Sequence, residues 1–386
     1  MVDRRIAVTG AGGCVGGRLT HRLVLGEQDT VVPLVHRLSG AGAMRLARLP
    51  VDIHQGSVTD RATMDDLVTD CDAVVHCAVG SREATVEGTS TTLAAAEAAG
   101  VDTFVYLCSA SIYGHDLEGV ITEGTPIDPD TEYGAWKAEA AAIVADYQCA
   151  GALQPTSLRP FIVYGPFSEF IRAPVADLKA GAILADGGYG PVNQIYVDNL
   201  IDGILRVLDT PTARGEVYHA VDDDPVTWRR YMETLGTYLA AHPPIETYSS
   251  TDIRIRATMA YAAANVVPPI RAVKAVATAP AVRQSVATEF RQTPWAMGAF
   301  AALPPSIQRA IQGVFSRNGT DRYPKARVDA TVGPRSWPSK RYRDMHRSTG
   351  RLSNEKLKRD LGWEQRVTFD AAMDDIGAWL AYQHDC

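Results

Sequence analysis

Apolar runs and polar breaks alternate along the first 160 residues in a strand-then-helix rhythm. "RIAVT" (5–9), "TVVPLV" (30–35), "VDIHQ" (51–55), "DAVVHCA" (72–78), "TFVYLCS" (103–109) and "PTSLRPFIVYG" (155–165) read as strands. Each is short, rich in β-branched and aromatic residues, and bounded by turn signals. Between them lie helical patterns: one to about Gly26, "DRATMDDLVTD" (60–70), "EATVEGTSTTLAAAEAAG" closing at Gly100, and an Ala-rich stretch around 131–140. Near-continuous apolar strands alternating with helices predict a parallel sheet buried on both faces, an α/β doubly wound fold.

After Gly165 the alternation weakens. Strands are predicted at 193–197 and 216–220, each with a helix behind it, and closing helices at 353–362 and 368–383, with Ser353 and Thr368 as N-caps. The expected division is a doubly wound domain over 1–165 and a second part over 166–386. Within the second part, 198–215 is expected to pack back on the first, and 250–345 to form a basic, mainly helical insertion. Asp198 and Asn199 read as caps of the helix after the 193–197 strand.

The chain has 386 residues, 46% hydrophobic and 22% charged, with a formal net charge of −7. Nothing in this balance suits a nucleic-acid binder. The start "MVDRRIAVTG" runs straight into a strand without an apolar leader segment, and no window reads as a membrane span. The six cysteines form no C-x-x-C pair, so reduced thiols in a cytoplasmic protein without a metal are expected. One segment departs from the acidic average. From Arg254 to Arg317 there are eight Lys/Arg against one acid, Glu289. That segment reads as a lid for an anionic substrate, as a surface for anionic lipid, or as a solvated insertion.

Two stretches carry candidate chemistry. In "TEYGAWKAEA" (131–140), Tyr133 and Lys137 are one helical turn apart and share a face. A fixed ammonium beside a phenol favours the phenolate and fits it for proton transfer. In "VTGAGGCVGG" (8–17), Gly10, Gly13 and Gly16 stand between the first strand and the first helix, where backbone N–H groups can approach a pyrophosphate. The second strand ends in Val35, His36 and Arg37, with no acid to accept from a ribose 2′-hydroxyl. Arg37 would instead attract a 2′-phosphate, which favours NADP(H) and leaves NAD(H) as the alternative. His76 and Cys77 could suggest a nucleophile or metal pair; they read better as strand residues.

Taken in order, T-G-x-x-G-x-x-G (9–16), "DAVVHCA", "LCSASIYG" (107–114), Y-x-x-x-K (133–137) and "LRPFIVYGP" (158–166) resemble the extended short-chain dehydrogenase/reductases, often labelled the NAD-dependent epimerase/dehydratase family. The resemblance covers about 1–235 and 350–385 and implies a nucleotide-binding Rossmann domain over 1–165 and a substrate-binding part over 166–386. It implies Tyr133 as general acid/base, Lys137 as the cation that lowers its pKa and holds the nicotinamide ribose, and Ser109 as a hydrogen-bond partner of the substrate oxygen. Cofactor contacts are implied for Gly10, Gly12, Gly13, Cys14, Val15, Gly16, His36, Arg37, Ser57, Val58, Cys77, Ala78, Val79, Pro160, Ile162 and Val163. Substrate contacts are implied for Ser111, Tyr113 and Asn193.

The implied activity is hydride transfer at a hydroxyl/carbonyl carbon of a sugar, a sugar nucleotide or a related metabolite. An NADPH-dependent carbonyl reductase of a non-sugar metabolite is the alternative, and a non-catalytic NADP-sensing protein is the rival of another class. A small-molecule substrate is the expected partner, with a homodimer left open. Three departures stand out. Ser109-Ala110-Ser111 replaces the Thr-Asp-Glu of sugar-nucleotide 4,6-dehydratases, which argues against dehydration. Thr85 stands where many members have Asn, and Ser57 where an Asp often ends the third strand.

Overall fold

The computed structural model describes residues 4–150, 153–240, 242–253 and 338–384. Most of the expected basic insertion, residues 254–337, lies outside the described residues, and with it the expected lid.

In chain order the elements are β1 (Arg4–Thr9), α1 (Cys14–Gly26), β2 (Asp29–Val35), α2 (Ala41–Leu46), β3 (His54–Gln55), α3 (Arg61–Val68), β4 (Ala73–His76), α4 (Arg82–Ala98), β5 (Thr103–Leu107), a 3₁₀ turn (Ala110–Tyr113), β6 (Val120–Ile121), α5 (Glu132–Ala150), β7 (Thr156–Pro160), β8 (Ile162–Tyr164), α6 (Glu169–Ala180), β9 (Ile183–Ala185), β10 (Gln194–Tyr196), α7 (Val197–Asp209), β11 (Val217–Ala220), α8 (Trp228–Thr237), β12 (Glu246–Tyr248), α9 (Lys340–Arg347), β13 (Arg351–Leu352), α10 (Glu355–Leu361) and α11 (Phe369–His384).

Seven strands form one parallel sheet in the order β11-β7-β5-β4-β1-β2-β3. This is the doubly wound sheet that the apolar runs predict. Successive residues of a strand face opposite layers. Ile6 and Val8 of β1, Ala73 and Val75 of β4 and Val105 of β5 join one core with Leu19, Ile201, Ile204, Leu357 and Trp363. Ala7, Val74, Phe104 and Tyr106 join the other with Met64, Leu67, Leu93, Ala140 and Val144. The strand order reverses between β1 and β4, and the carboxyl ends there open the crevice where such sheets bind ligands.

Several expectations change. The third strand is only His54–Gln55, because the sheet edge offers β2 alone as partner. The sixth strand divides: β7 stays in the main sheet, whereas β8 leaves it to pair with β10. Pro160 ends β7 and has no N–H to continue a ladder. The fifth strand stops at Leu107, which frees Cys108 and Ser109 for the turn that follows. Helix α6, capped by Ser168, occupies a stretch in which no element was expected.

Asp198 and Asn199 do not cap α7. Asp198 pairs with Arg18 of α1 at 2.5 Å, and Arg22 reaches Asp202 at 3.1 Å. Fully buried Asn199 donates to Asp222 at 2.8 Å and accepts from the Val367 N–H at 3.0 Å. Helix α10 starts one residue later than the Ser353 cap implies, with Asn354 at the cap position and its amide on the Val221 carbonyl. Thr368 does accept from the Ala371 N–H, at 3.4 Å. Among the described residues, no helix is long and apolar enough to cross a membrane.

Candidate active site

The glycine turn joins β1 to α1 at the strand reversal. Gly10 has φ +66°, and a Cβ there would lie 2.8 Å from the Cys77 carbonyl and the Ala78 nitrogen. Only glycine lets the turn press this closely on the end of β4. Gly13 bonds back to the Gly10 carbonyl at 2.9 Å and sits at the cap position of α1 without a side chain to fill it. The first turn of α1 carries no acid. The N–H groups of this turn and the positive end of the helix therefore lie at the crevice with no acid from the helix's own first turn, a cradle suited to a pyrophosphate.

His76 fixes the strand ends on which this cradle rests. Its Nδ1 lies 2.9 Å from Thr9 Oγ1 and its Nε2 3.2 Å from Thr89 Oγ1. Thr89 donates to the Thr85 carbonyl and Thr9 accepts from the Ala78 N–H. The Thr9 proton therefore goes to Nδ1, and Nε2 carries the imidazole's own. Burial pushes His76 down to about 3 and the adjacent Cys77 thiol up to about 12. Both are therefore uncharged at neutral pH. Among the described residues no group of three or more His, Cys, Asp or Glu could hold a metal.

The residues expected to transfer protons come from two abutting segments. Ser109, 4% exposed, follows β5, and its Oγ accepts from the Ser111 N–H at 3.2 Å. A Cβ at Gly134 would stand 2.5 Å from the Ser111 carbonyl. The first turn of α5 can therefore lie flat against the turn bearing Ser109. Thr131 caps that helix turn by accepting from the Gly134 N–H at 3.1 Å. Half-buried Tyr133 stands there, beside the Ser109 turn.

One helical turn on, Lys137 is 3% exposed and donates to the Leu107 carbonyl at 2.7 Å. Its ammonium lies 4.9 Å from the Tyr106 ring centroid. Burial lowers its pKa, and the Cys108 and Cys77 thiols oppose this. No carboxylate shares its surroundings among the described residues. Lys137, one helical turn after Tyr133, thus has the backbone carbonyl that ends β5 as its hydrogen-bond partner.

A clamp that the sequence did not reveal holds the two segments in register. Asp130 accepts from the His115 N–H at 3.2 Å and pairs with its Nδ1 at 2.5 Å. Asp130 lies three residues before Tyr133, and His115 directly follows the Ser109–Gly114 turn. The two are 15 residues apart in loops. No periodicity links them; the only signal was an acid just ahead of the Tyr helix.

The remaining candidates divide. Ala78 and Val79 follow the end of β4, Ala78 half-buried and Val79 45% exposed. Gly12, Cys14 and Val15 are half-buried on the turn, while His36 and Arg37 are exposed beyond β2. Ser57 shares its hydroxyl with Thr59 at 2.8 Å and Val58 packs against Gly88. Pro160 and Ile162 are buried where β7 gives way to β8, and Val163 is half-buried. Ser111 is 2% exposed.

Tyr113 is held by Arg159 at 2.5 Å and by His219 at 2.9 Å, a buried clamp beneath the turn. Asn193 bonds the Gly350 carbonyl at 2.9 Å and the Leu352 N–H at 3.0 Å, so both ends of its amide fasten the C-terminal segment.

A glycine cradle at a strand reversal, beside Ser, Tyr and Lys on abutting turns, defines a dinucleotide-binding protein of the short-chain dehydrogenase/reductase type. The model of the NAD dependent epimerase/dehydratase family matches residues 6–220, and the chain belongs to that family. It is 31% identical over 241 residues to the low-salt glycan biosynthesis protein Agl12 of Haloferax volcanii, covering 55% of this chain and 76% of that protein. To a dTDP-glucose 4,6-dehydratase of Mycobacterium tuberculosis it is 29% identical, covering 53% and 69%. The solved UDP-glucuronic acid 4-epimerase of Bacillus cereus, in complex with UDP-glucuronic acid and NAD, superposes with a TM-score of 0.65 over 98% of this chain and 99% of that one. At 15% identity that likeness is one of fold.

The buried histidines generate a prediction. His76 is pushed down to about 3, and His219 and His346 each to about 4, in every case first by burial. All three are neutral when folded, whereas an unfolded imidazole takes up a proton below about 6.5. The unfolded state therefore binds more protons as pH falls, and stability is lost from about 6.5 downward toward the folded values. Each histidine contributes a slope of up to about 1.4 kcal/mol per pH unit in that window. Urea midpoints measured from pH 7.5 to 5 should fall below 6.5, less steeply than the three histidines alone would give because buried Asp177, pushed up to about 6, takes up its proton in the folded state; midpoints that do not fall would show that these imidazoles bind protons as readily folded as unfolded.

Proposed function

We propose that the protein is an NAD(P)-dependent oxidoreductase or epimerase of a sugar nucleotide, with Tyr133 as its acid/base. The observation that carries this reading is the buried Lys137 ammonium, without a carboxylate partner, one turn from Tyr133 and directly behind the end of β5. A cation there stabilises the phenolate that takes a proton from a substrate hydroxyl, and the same phenol returns it to a carbonyl. Ser109, held by the Ser111 N–H, keeps its own O–H for the substrate oxygen. The cradle of Gly10–Gly16 and the N-terminus of α1 would hold the dinucleotide pyrophosphate, and Ala78 and Val79 would flank it. The nicotinamide, when bound, supplies the carbon that takes up or gives back the hydride. Clamped loops keep the proton-transfer groups in place through both half-reactions.

The names of the relatives point to nucleotide-linked sugars, and a nucleoside diphosphate sugar fits the anionic substrate suggested by the basic segment. Dehydration is a second reading, because a dTDP-glucose 4,6-dehydratase stands among the relatives. The comparisons therefore do not support the expected exclusion of dehydration, which rests on residues alone. Ser109, Ala110 and Ser111 place no carboxylate on the turn nearest Tyr133. Elimination of water needs an acid and a base beyond the tyrosine, and we favour epimerisation or simple oxidation.

Two outcomes test this reading. Tyr133→Phe removes one hydroxyl and keeps the packed ring. Turnover should fall by about 10²–10⁴-fold while dinucleotide affinity stays near that of the wild type. A variant keeping more than about a tenth of the wild-type rate would remove Tyr133 from the chemistry. For the cofactor, Arg37 is exposed just beyond β2, whose C-terminal end offers no acid, so we favour NADP. Arg37→Ala should weaken NADP binding by about 1.5–3 kcal/mol and leave NAD almost unchanged. Equal losses for the two, or tighter wild-type binding of NAD, would assign the protein to NAD.

A further inference from the structure

We propose that Arg45 and Phe167 form a latch across the dinucleotide crevice, in which the Arg45 guanidinium pairs with the cofactor pyrophosphate and slows its release. The inference rests on the proposed dinucleotide site.

Arg45 lies near the end of α2, and α2 is pressed onto the glycine turn: a Cβ on Gly42 would collide with the Gly12 carbonyl. From there the side chain reaches over the first turn of α1. Its Nη2 is 3.6 Å from where a Cβ of Gly17 would be. The guanidinium carbon then stacks 4.0 Å from the centroid of the Phe167 ring. Phe167 belongs to the loop between β8 and α6, on the other side of the α1 N-terminus. Its φ of +66° is a left-handed conformation that a bulky residue adopts only when its surroundings hold it there. Trp379 of α11 packs edge-on against the ring at 5.2 Å. The Cys14 thiol lies 3.6 Å from the Pro166 carbonyl, so the same loop already touches the first residue of α1. The Arg45–Phe167 stack thus spans from α2 to the 165–168 loop in front of the cradle.

The charge pattern identifies the missing partner. Arg18 is matched by Asp198 and Arg172 by Glu169. Arg45 is half-buried, and its charged surroundings are the Cys14 thiol and a second cation, Arg172. No carboxylate among the described residues answers it, and burial pushes its pKa down. The first turn of α1 adds no acid. A desolvated guanidinium beside an uncompensated helix N-terminus calls for a compact anion of more than one charge. The pyrophosphate common to NAD and NADP meets that need. Arg45 is therefore distinct in role from Arg37, which faces the 2′ position. A latch of this kind suits a cofactor that is reduced and reoxidised without leaving.

The test measures release, not turnover. Wild type, Arg45→Ala, Arg45→Lys and Phe167→Leu are loaded with NADH or NADPH and chased with excess ADP-ribose in a stopped-flow instrument, with nicotinamide fluorescence as the readout. Arg45→Ala should speed release of both dinucleotides by about ten- to a hundredfold. Phe167→Leu should speed both in the same direction. Arg45→Lys, which keeps the charge but loses the planar stack, should fall between wild type and Arg45→Ala. Wild-type release rates for Arg45→Ala and Arg45→Lys would overturn the latch. So would a change confined to NADPH, because that would place Arg45 at the 2′-phosphate. A wild type that bound neither dinucleotide would instead overturn the site on which the latch rests.

Discussion

The hydrogen bond from the Lys137 ammonium to the Leu107 carbonyl is the contact on which the site depends. It joins the last residue of β5 to the second turn of α5 and buries a cation with no carboxylate beside it among the described residues. An uncompensated buried charge is costly unless hydrogen bonds hold it, so the surrounding geometry has to be firm. Gly134 supplies part of that firmness by letting α5 rest against the Ser111 carbonyl. The Asp130–His115 clamp supplies the rest from the loop side. Tyr133 stands in the first turn of the helix that these points fix, one turn ahead of Lys137.

The parallel sheet explains why the glycine turn and the candidate proton-transfer residues lie side by side. Glycine turn, Ala78–Val79 and Ser109 each follow the carboxyl end of a strand, β1, β4 and β5, which are neighbours in the sheet. The reversal of strand order opens the crevice at that edge. His76, bonded on both ring nitrogens, ties β1, β4 and α4 together beneath it. The candidate groups are therefore carried by the turns after these strands and by the first turns of α5, while their spacing is set by a rigid ladder.

Much of this was legible in the sequence, and the exceptions share a cause. Strands β1, β2, β4 and β5 are buried on both faces, so their apolar runs mark them plainly. β3 pairs on one side only and shrinks to two residues. The apolar run through "LRPFIVYG" hides the change of sheet at Phe161, since both halves are buried in their own ladders. Asp198, Asn199 and Asn193 have side chains suited to capping or to a substrate, yet partners distant in sequence take them: Arg18, Asp222 and the 350–352 backbone. The His115–Asp130 and Arg45–Phe167 pairs join loops that meet only in the folded chain, and no local pattern announces them.

The central claim is that the Lys137 charge enables the proton transfer that accompanies hydride movement. It is tested most directly by single-turnover absorbance at 340 nm. Wild type and Lys137→Met, each loaded with oxidised dinucleotide, are mixed with dTDP-glucose, UDP-glucose or UDP-glucuronic acid. The account predicts that the wild type shows transient nicotinamide reduction with at least one of these sugar nucleotides. Lys137→Met, with its dinucleotide still bound, should show none. Reduction in Lys137→Met at the wild-type rate would contradict it.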